Sequence, residues 1–359
     1  MRIAVLSRNF SSTGGGAERY SIALVEQLAS RHEVHVFAQT IAHQYPGVTY
    51  HPISMPLKKP RWINQLWFAY ATWRATREGF DIVHSHENTW HGNVQTVHVL
   101  PVQHNLFVGR EGLAKALRWL KVCTSPRLLA YLWLEAARYA VQPRRAVVVT
   151  SDTLRGVMAA TYPHARPLLQ VIAPGVSEVP GVCSQEHKQA ARTHLKLPLA
   201  GKGLLFVGND FRKKGLPALL DALPRLPPNV WLAVVGEGEQ GAAMRQRVAE
   251  LGLGGRVHFL GALSDMNPAY QAADCLVHPT LEDTYAMVVL EAMAHGLPVV
   301  VSAAAYCGIS AELSDGVNAV LLDEPQSADA IAHAVAPLLA DEVHVSKLGA
   351  QAAAFAAQH

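Results

Sequence analysis

Short apolar runs, separated by longer stretches with helical spacing, recur along almost the whole chain. Residues 3–6, 33–38, 81–86, 94–98, 146–151 and 171–175 read as strands, and residues 17–30 as a helix. Continuous apolar runs suit strands buried on both faces. Strands alternating with helices predict a parallel, doubly wound sheet, an α/β architecture. The rhythm fails over residues 176–200, where Pro180, Gly181 and Pro198 flank a short charged segment, and this stretch reads as a linker. It restarts with strand-like residues 203–208, 231–236, 257–261, 273–278, 297–301 and 319–322, and the Ala-rich residues 327–359 read as helical. The expected layout is a first domain over 1–175, the linker, a second domain over 201–340, and a terminal helix over 341–359 packing back on the first domain. Two doubly wound domains leave a cleft between the carboxyl ends of their strands.

Composition agrees with this layout and narrows the chemistry. At 359 residues, with 50% apolar and 16% charged positions, the chain suits two folded domains. No run approaches about 18 uncharged apolar residues, so a spanning helix is not expected. The opening residues 1–6, soon followed by Arg8, read as a strand and not as a signal peptide. Cys123, Cys183, Cys275 and Cys307 form no close pair, so a disulfide or metal framework is not expected, and each reads as a small buried residue in a reducing, cytoplasmic setting. About 19 lysines and arginines face about 9 acids in residues 1–175, against about 12 facing about 19 in the remainder. A basic first half implies an anionic partner such as a phosphorylated glycan or a membrane surface. Aromatic-basic RNA-binding signatures are absent, so no nucleic acid is expected.

The candidate chemistry concentrates in the second half. Asp283 follows a strand-like run, and Glu291 lies eight positions on, inside a helix-like run. Asp283-Thr284 reads as a helix start whose first turn offers the N–H groups of Tyr285, Ala286 and Met287 to an anion. One acid for sugar hydroxyls, amides for a pyrophosphate and one acid for a ribose diol would suit a sugar nucleotide. The same run also reads as an ordinary core helix with two incidental acids. Gly208-Asn209-Asp210-Phe211-Arg212-Lys213-Lys214-Gly215 puts three cations at a strand's carboxyl end, either a diphosphate site or a solvated loop. Gly14-Gly15-Gly16 opens the first helix, where glycine permits close backbone approach or simply a tight turn; Arg19 stands where a dinucleotide fingerprint needs glycine. His84, His86, His91, His98 and His104 crowd one region without acidic or cysteine partners in ligand spacing, so no metal is expected. Of these, His98 is best placed at a strand end to meet a sugar. Residues 57–77 and 113–139 mix Lys and Arg with Trp and Tyr. Each reads equally as a helix packed on the sheet or as one lying on an anionic membrane.

Taken together, Gly15-Gly16-Ala17-Glu18-Arg19, Pro174-Gly175-Val176, the Lys213-Lys214-Gly215 turn, Val235-Gly236-Glu237-Gly238, Val257-His258-Phe259-Leu260-Gly261 and Leu290-Glu291-Ala292-Met293-Ala294 resemble the retaining glycosyltransferases of family four. The segments 207–215 and 278–283 are most similar to lipopolysaccharide core glucosyltransferases. The resemblance implies the GT-B fold, two Rossmann-like domains with the donor in the second and the acceptor in the first. It implies transfer of a hexose, glucose first, from a UDP-sugar to a lipopolysaccharide core or related lipid-linked bacterial glycan. No metal or further cofactor is implied. The enzyme would be cytoplasmic, with peripheral contact on the inner face of the membrane. Lys214 matches the family's phosphate-binding lysine, with Arg212 as helper. Glu291 matches the ribose-binding second acid of E-x7-E. His98 matches the histidine near the donor sugar, and Gly15 and Gly16 match the loop facing the diphosphate. Asp283, one methylene shorter than the family's first acid, would face the sugar, and Asn209 stands where many members carry an arginine. Gly208, Gly236, Tyr285, Ala286 and Met287 complete the expected donor site. The alternatives are a UDP-sugar 2-epimerase of the same fold and a non-catalytic sugar-nucleotide-binding protein.

Overall fold

The computed structural model describes residues 1–11, 15–57, 59–176 and 178–359. Gly14 of the glycine turn and Lys58 of the basic segment 57–77 lie outside the described residues. The chain divides into two units, Met1–Ala173 and Pro174–His359.

In the first unit the strands are β1 (Arg2–Leu6), β2 (Asn9–Phe10), β3 (Glu33–Ala38), β4 (Thr40–Ile41), β5 (Val48–Pro52), β6 (Ile82–Ser85), β7 (Val94–Val97), β8 (Ala146–Val149) and β9 (Leu169–Val171). Seven of them form one parallel sheet in the order β5-β3-β1-β6-β7-β8-β9, while β2 pairs with β4. The helices are α1 (Gly16–Ala29), α2 (Arg61–Thr76), α3 (Val102–Phe107), α4 (Gly112–Cys123), α5 (Pro126–Arg138) and α6 (Asp152–Thr161). Strand order runs outward from β1 to β5, then returns to β6 on the other side of β1. That reversal opens a crevice at the carboxyl ends of β1 and β6.

The second unit repeats the plan. Strands β10 (Lys202–Val207), β11 (Val230–Val235), β12 (Val257–Gly261), β13 (Cys275–His278), β14 (Val299–Ser302) and β15 (Val320–Leu322) form a parallel sheet in the order β12-β11-β10-β13-β14-β15. Its helices are α7 (Gln185–His194), α8 (Leu216–Ala222), α9 (Gly241–Glu250), α10 (Asn267–Ala272), α11 (Met287–Ala294), α12 (Ala328–Ala340) and α13 (Glu342–Ala356). Every residue of β11 is buried, as a strand covered by helices on both faces requires. Leu204, Phe206, Leu232 and Val234 pack with Leu219, Leu220, Ile331 and Val335 in the core. Here the reversal lies between β10 and β13, so the loops after these strands flank the crevice.

The structure corrects several expectations. The stretch read as a linker contains α7, which packs on α10. Lys188 and Arg192 of α7 hold Asp274 at 2.9 and 2.7 Å, and Asp274 also accepts the Gly203 N–H at 2.7 Å. This buried network ties α7 to the start of β10, so the helix belongs to the second unit. The terminal helix α13 packs against α11 and α12 of that same unit. Strand β5 went unread because its Tyr50, His51 and Pro52 break the apolar pattern at a sheet edge. Cys275 and Cys307 are buried as expected, but Cys123 is exposed and Cys183 half-buried.

Candidate active site

The loop after β10 turns sharply at Gly215, whose φ is +81°. A Cβ there would lie 1.9 Å from the Pro279 carbonyl oxygen, so only glycine lets this loop meet the one after β13. Backbone bonds join the two, Leu281 N–H donating to the Lys213 carbonyl at 2.7 Å. The Lys214 stem lies over Gly208. Its ammonium donates to Asp283 Oδ2 at 2.5 Å and to the Glu282 carbonyl at 3.1 Å. Lys213 pairs with Glu282 at 2.9 Å, and Arg212 is exposed beside them. Gly236, at φ +121°, brings the loop after β11 against the same turn, since a Cβ would meet the Gly208 carbonyl at 2.2 Å. The Asn209 side chain closes this contact by accepting the Glu237 N–H at 3.2 Å. The fold therefore brings Gly208, Asn209, Lys214, Gly236 and Asp283 together at the carboxyl ends of β10, β11 and β13.

Asp283 does not begin the helix. Its Oδ1 accepts the N–H groups of Tyr285 and Ala286 at 3.3 and 2.9 Å. The chain then passes through the left-handed region at Ala286 (φ +72°), and α11 starts at Met287. The Tyr285 and Ala286 amides expected to face an anion are thus consumed by Asp283, leaving the first-turn N–H groups of Met287 and Val288 without an intrahelical acceptor. Asp283 Oδ2 takes His278 Nε2 at 3.2 Å as well as Lys214. Both oxygens therefore carry two donors each, which fills the acceptor capacity of a carboxylate. Burial works to raise this carboxyl's pKa, but the His278 hydrogen bond and the Lys214 charge outweigh it and hold the group far below the usual carboxylate range. Burial pushes His278 down against the pull of Asp283, so the ring is neutral and donates its Nε2–H.

One helical turn on, Glu291 Oε2 accepts the Tyr270 hydroxyl of α10 at 2.5 Å. Lys213, His278 and Glu282 lie inside the motifs quoted from the sequence but receive no separate role there, whereas Tyr270 gives no local signal and is missed.

In the first unit, Gly15 caps α1 with extended backbone (φ −78°), so its dihedral does not demand glycine, and Gly16 is the first helical residue. Tyr20 of α1 meets the His98 ring edge-on at 5.1 Å. His86 Nδ1 lies 2.9 Å from His98 Nε2, and His84 stacks on His86 at 4.5 Å. His86 Nε2 is buried without a partner among the described residues. A bare acceptor there costs less than an orphaned N–H, so His86 donates and the His98 proton sits on Nδ1. Burial, then the charge of Arg138, lowers His98 to about 3. It is therefore a neutral hydrogen-bonding group and not a cation. Glu135 of α5 anchors the segment after His98, accepting Val102 N–H, Gln103 N–H and the Tyr162 hydroxyl at 2.7, 3.0 and 2.7 Å. Glu135→Leu strands one buried and two part-buried donors, a loss of about 3–5 kcal/mol and a melting temperature lower by about 10 °C in a thermal scan.

The two basic aromatic segments are not wholly packed away. On α2, Phe68 is fully buried, while Trp67, Tyr70 and Trp73 form an exposed row with ring centroids 6.0 and 6.1 Å apart. On α4, Leu113, Leu117, Trp119 and Leu120 are exposed between Lys115, Arg118 and Lys121, and α5 adds Leu129 and Trp133. Among the described residues no helix is long and apolar enough to cross a membrane, and no cluster of three or more His, Cys, Asp or Glu could hold a metal.

A family model described as Glycosyl transferases group 1 matches residues 187–355, and one described as Glycosyltransferase Family 4 matches residues 14–178. Lipopolysaccharide glucosyltransferase WaaG of Escherichia coli (strain K12) is 34% identical over 128 residues, 34% of this chain and 33% of its own. Across the curated relatives the shared stretch spans 33% to 52% of the relative's length. The crystal structure of WaaG superposes with a TM-score of 0.86 at 20% identity, covering 99% of this chain and 95% of that one. Anabaena HepE in complex with UDP-glucose gives 0.78 at 21% identity, covering 100% and 95%.

Proposed function

The chain belongs to the family-four, group-one glycosyltransferases of the GT-B fold, close to the lipopolysaccharide core glucosyltransferases, and from that premise we propose that it transfers glucose, with retention, from UDP-glucose to a lipopolysaccharide core or related lipid-linked glycan. One observation carries the reading. The Lys214 ammonium is fixed at the carboxyl-end switch point of the second sheet, with the amino end of α11 beside it and Glu291 one turn on. A UDP diphosphate would take the third Lys214 proton, Arg212, and the Met287 and Val288 amides. The bond from C1 to the diphosphate oxygen breaks as the acceptor hydroxyl oxygen bonds C1 on the same face. The hydroxyl proton passes to the leaving phosphate, so no protein base is required. Cations and amides stabilise the leaving charge and need no metal. WaaG and the HepE complex with UDP-glucose support this donor and acceptor class.

A binding and turnover panel of UDP-glucose, UDP-galactose, UDP-N-acetylglucosamine and GDP-mannose tests the proposal. UDP-glucose should bind and slowly release UDP without acceptor; binding of no nucleotide sugar would sink it. The exposed aromatic rows, flanked by lysines and arginines, support contact with an anionic bilayer. Trp67→Ser with Trp73→Ser, or Leu117→Asp with Leu120→Asp, is expected to weaken binding to phosphatidylglycerol vesicles by about tenfold or more. Equal binding of the wild type to neutral and anionic vesicles counts against this contact.

A further inference from the structure

Glu291 is held from outside its own helix. Helix α10 leaves the edge of the sheet after β12 and brings Tyr270, 2% exposed, against α11. Its hydroxyl donates to Glu291 Oε2 at 2.5 Å, the short distance of a charge-assisted bond. The phenol ring cannot swing away, because His295 lies against it with ring centroids 5.0 Å apart. His295 is itself fixed at both nitrogens, Nδ1 at 2.8 Å from the Glu291 carbonyl and Nε2 at 3.1 Å from Asn267 Oδ1. The clamp thus joins the first turn of α10 to the last turn of α11 through one aromatic pair and grips the carboxylate between them.

The geometry points to Tyr270 as a positioning residue for nucleoside recognition, setting the Glu291 carboxylate to receive a vicinal ribose diol. The inference rests on the donor site proposed above and on the match of Glu291 to the family's ribose-binding acid. A glutamate on a helix surface samples several rotamers, and binding a diol through one of them loses that freedom. Tyr270 fixes the rotamer in advance through one of the carboxylate's four acceptor positions. Discrimination for ribose over 2′-deoxyribose should therefore depend on a phenol that touches no ligand.

Calorimetric titration of UDP and 2′-deoxy-UDP into the full chain tests this, with Tyr270→Phe, Glu291→Gln and the double variant. Tyr270→Phe keeps the ring in its packing and removes only the donor. It should weaken UDP by about tenfold while changing 2′-deoxy-UDP less than about twofold. In the Glu291→Gln background the same change should have no further effect on the UDP preference. Equal weakening of both nucleotides, or of neither, overturns the role of Tyr270. If Glu291→Gln keeps the wild-type preference for UDP, the ribose contact itself falls, and the positioning role with it. If Glu291→Gln loses the preference and Tyr270→Phe keeps it, only the positioning role falls.

Discussion

Lys214→Ala is expected to lower kcat for sugar transfer by about 10²–10³-fold, the range for removing one preorganised donor from a developing charge. The same change leaves Asp283 with a poorly compensated charge, so the melting temperature should drop as well. Asp283→Asn separates the two effects. A carboxylate whose four acceptor positions are filled by Lys214, His278 and two amides has none left for a sugar hydroxyl. Its role follows from what it holds, which is the Lys214 ammonium. Replacing it by Asn should lower kcat, because Lys214 is no longer aimed. UDP affinity should hold or rise, because a negative charge has left the diphosphate site. Affinities for UDP and for UDP-glucose should then move together in titrations. If Asp283 instead met the sugar, as its place in the motif first suggested, Asp283→Asn would weaken UDP-glucose and leave UDP unchanged. That outcome would overturn the positioning role.

The difference between these two readings of Asp283 marks how far the sequence could reach. Strand ends were legible, because buried parallel strands are continuous apolar runs, and so the chemistry at those ends was legible too. The Lys213-Lys214-Gly215 turn and the Asp283 to Glu291 spacing pointed to a candidate site, and the family resemblance supplied the roles expected of it. What Asp283 does there depends on contacts the pattern does not contain. The Asp283 N–H donates to the Tyr306 carbonyl at 2.8 Å, and Gly308 N–H donates to the Asp283 carbonyl at 3.0 Å, so the loop after β14 fixes its backbone. That bracing holds the turn at Ala286 in the left-handed region, a conformation costing about 1–2 kcal/mol for an alanine, and pushes the helix start to Met287. A cap predicted from residue type alone could not foresee it. The helix α7 was hidden for a related reason. Its sequence is polar, and what makes it part of the second unit is the pairing of Lys188 and Arg192 with Asp274, some eighty positions away.

Acidification is expected to unfold the first unit before the second. His84 and His91 are lowered to about 4 and His98 to about 3, in each case chiefly by burial, with the Arg138 or Arg145 charge adding to it. His86, buried between His84 and His98, is lowered further by both neighbours. In the unfolded chain these rings take up protons near pH 6.5. Above that value both states are neutral and stability does not depend on the rings. Between pH 6.5 and about 4 the unfolded chain binds protons that the folded unit refuses, so stability falls steadily through this window. A depression of two units or more is worth roughly 3 kcal/mol for one histidine, and several act together in one place. In the second unit Asp283 opposes the lowering of His278, and its own depressed carboxyl gives up stability only in stronger acid. Tryptophan emission reads the outcome directly, because six of the seven tryptophans lie in the first unit and only Trp231 in the second. The emission should shift to the red with a midpoint between pH 6.5 and 4, while the second unit still resists proteolysis. Replacing His98 by Gln removes one titrating ring and should move that midpoint to lower pH. An emission spectrum that stays native down to pH 4 would overturn the expected order of unfolding.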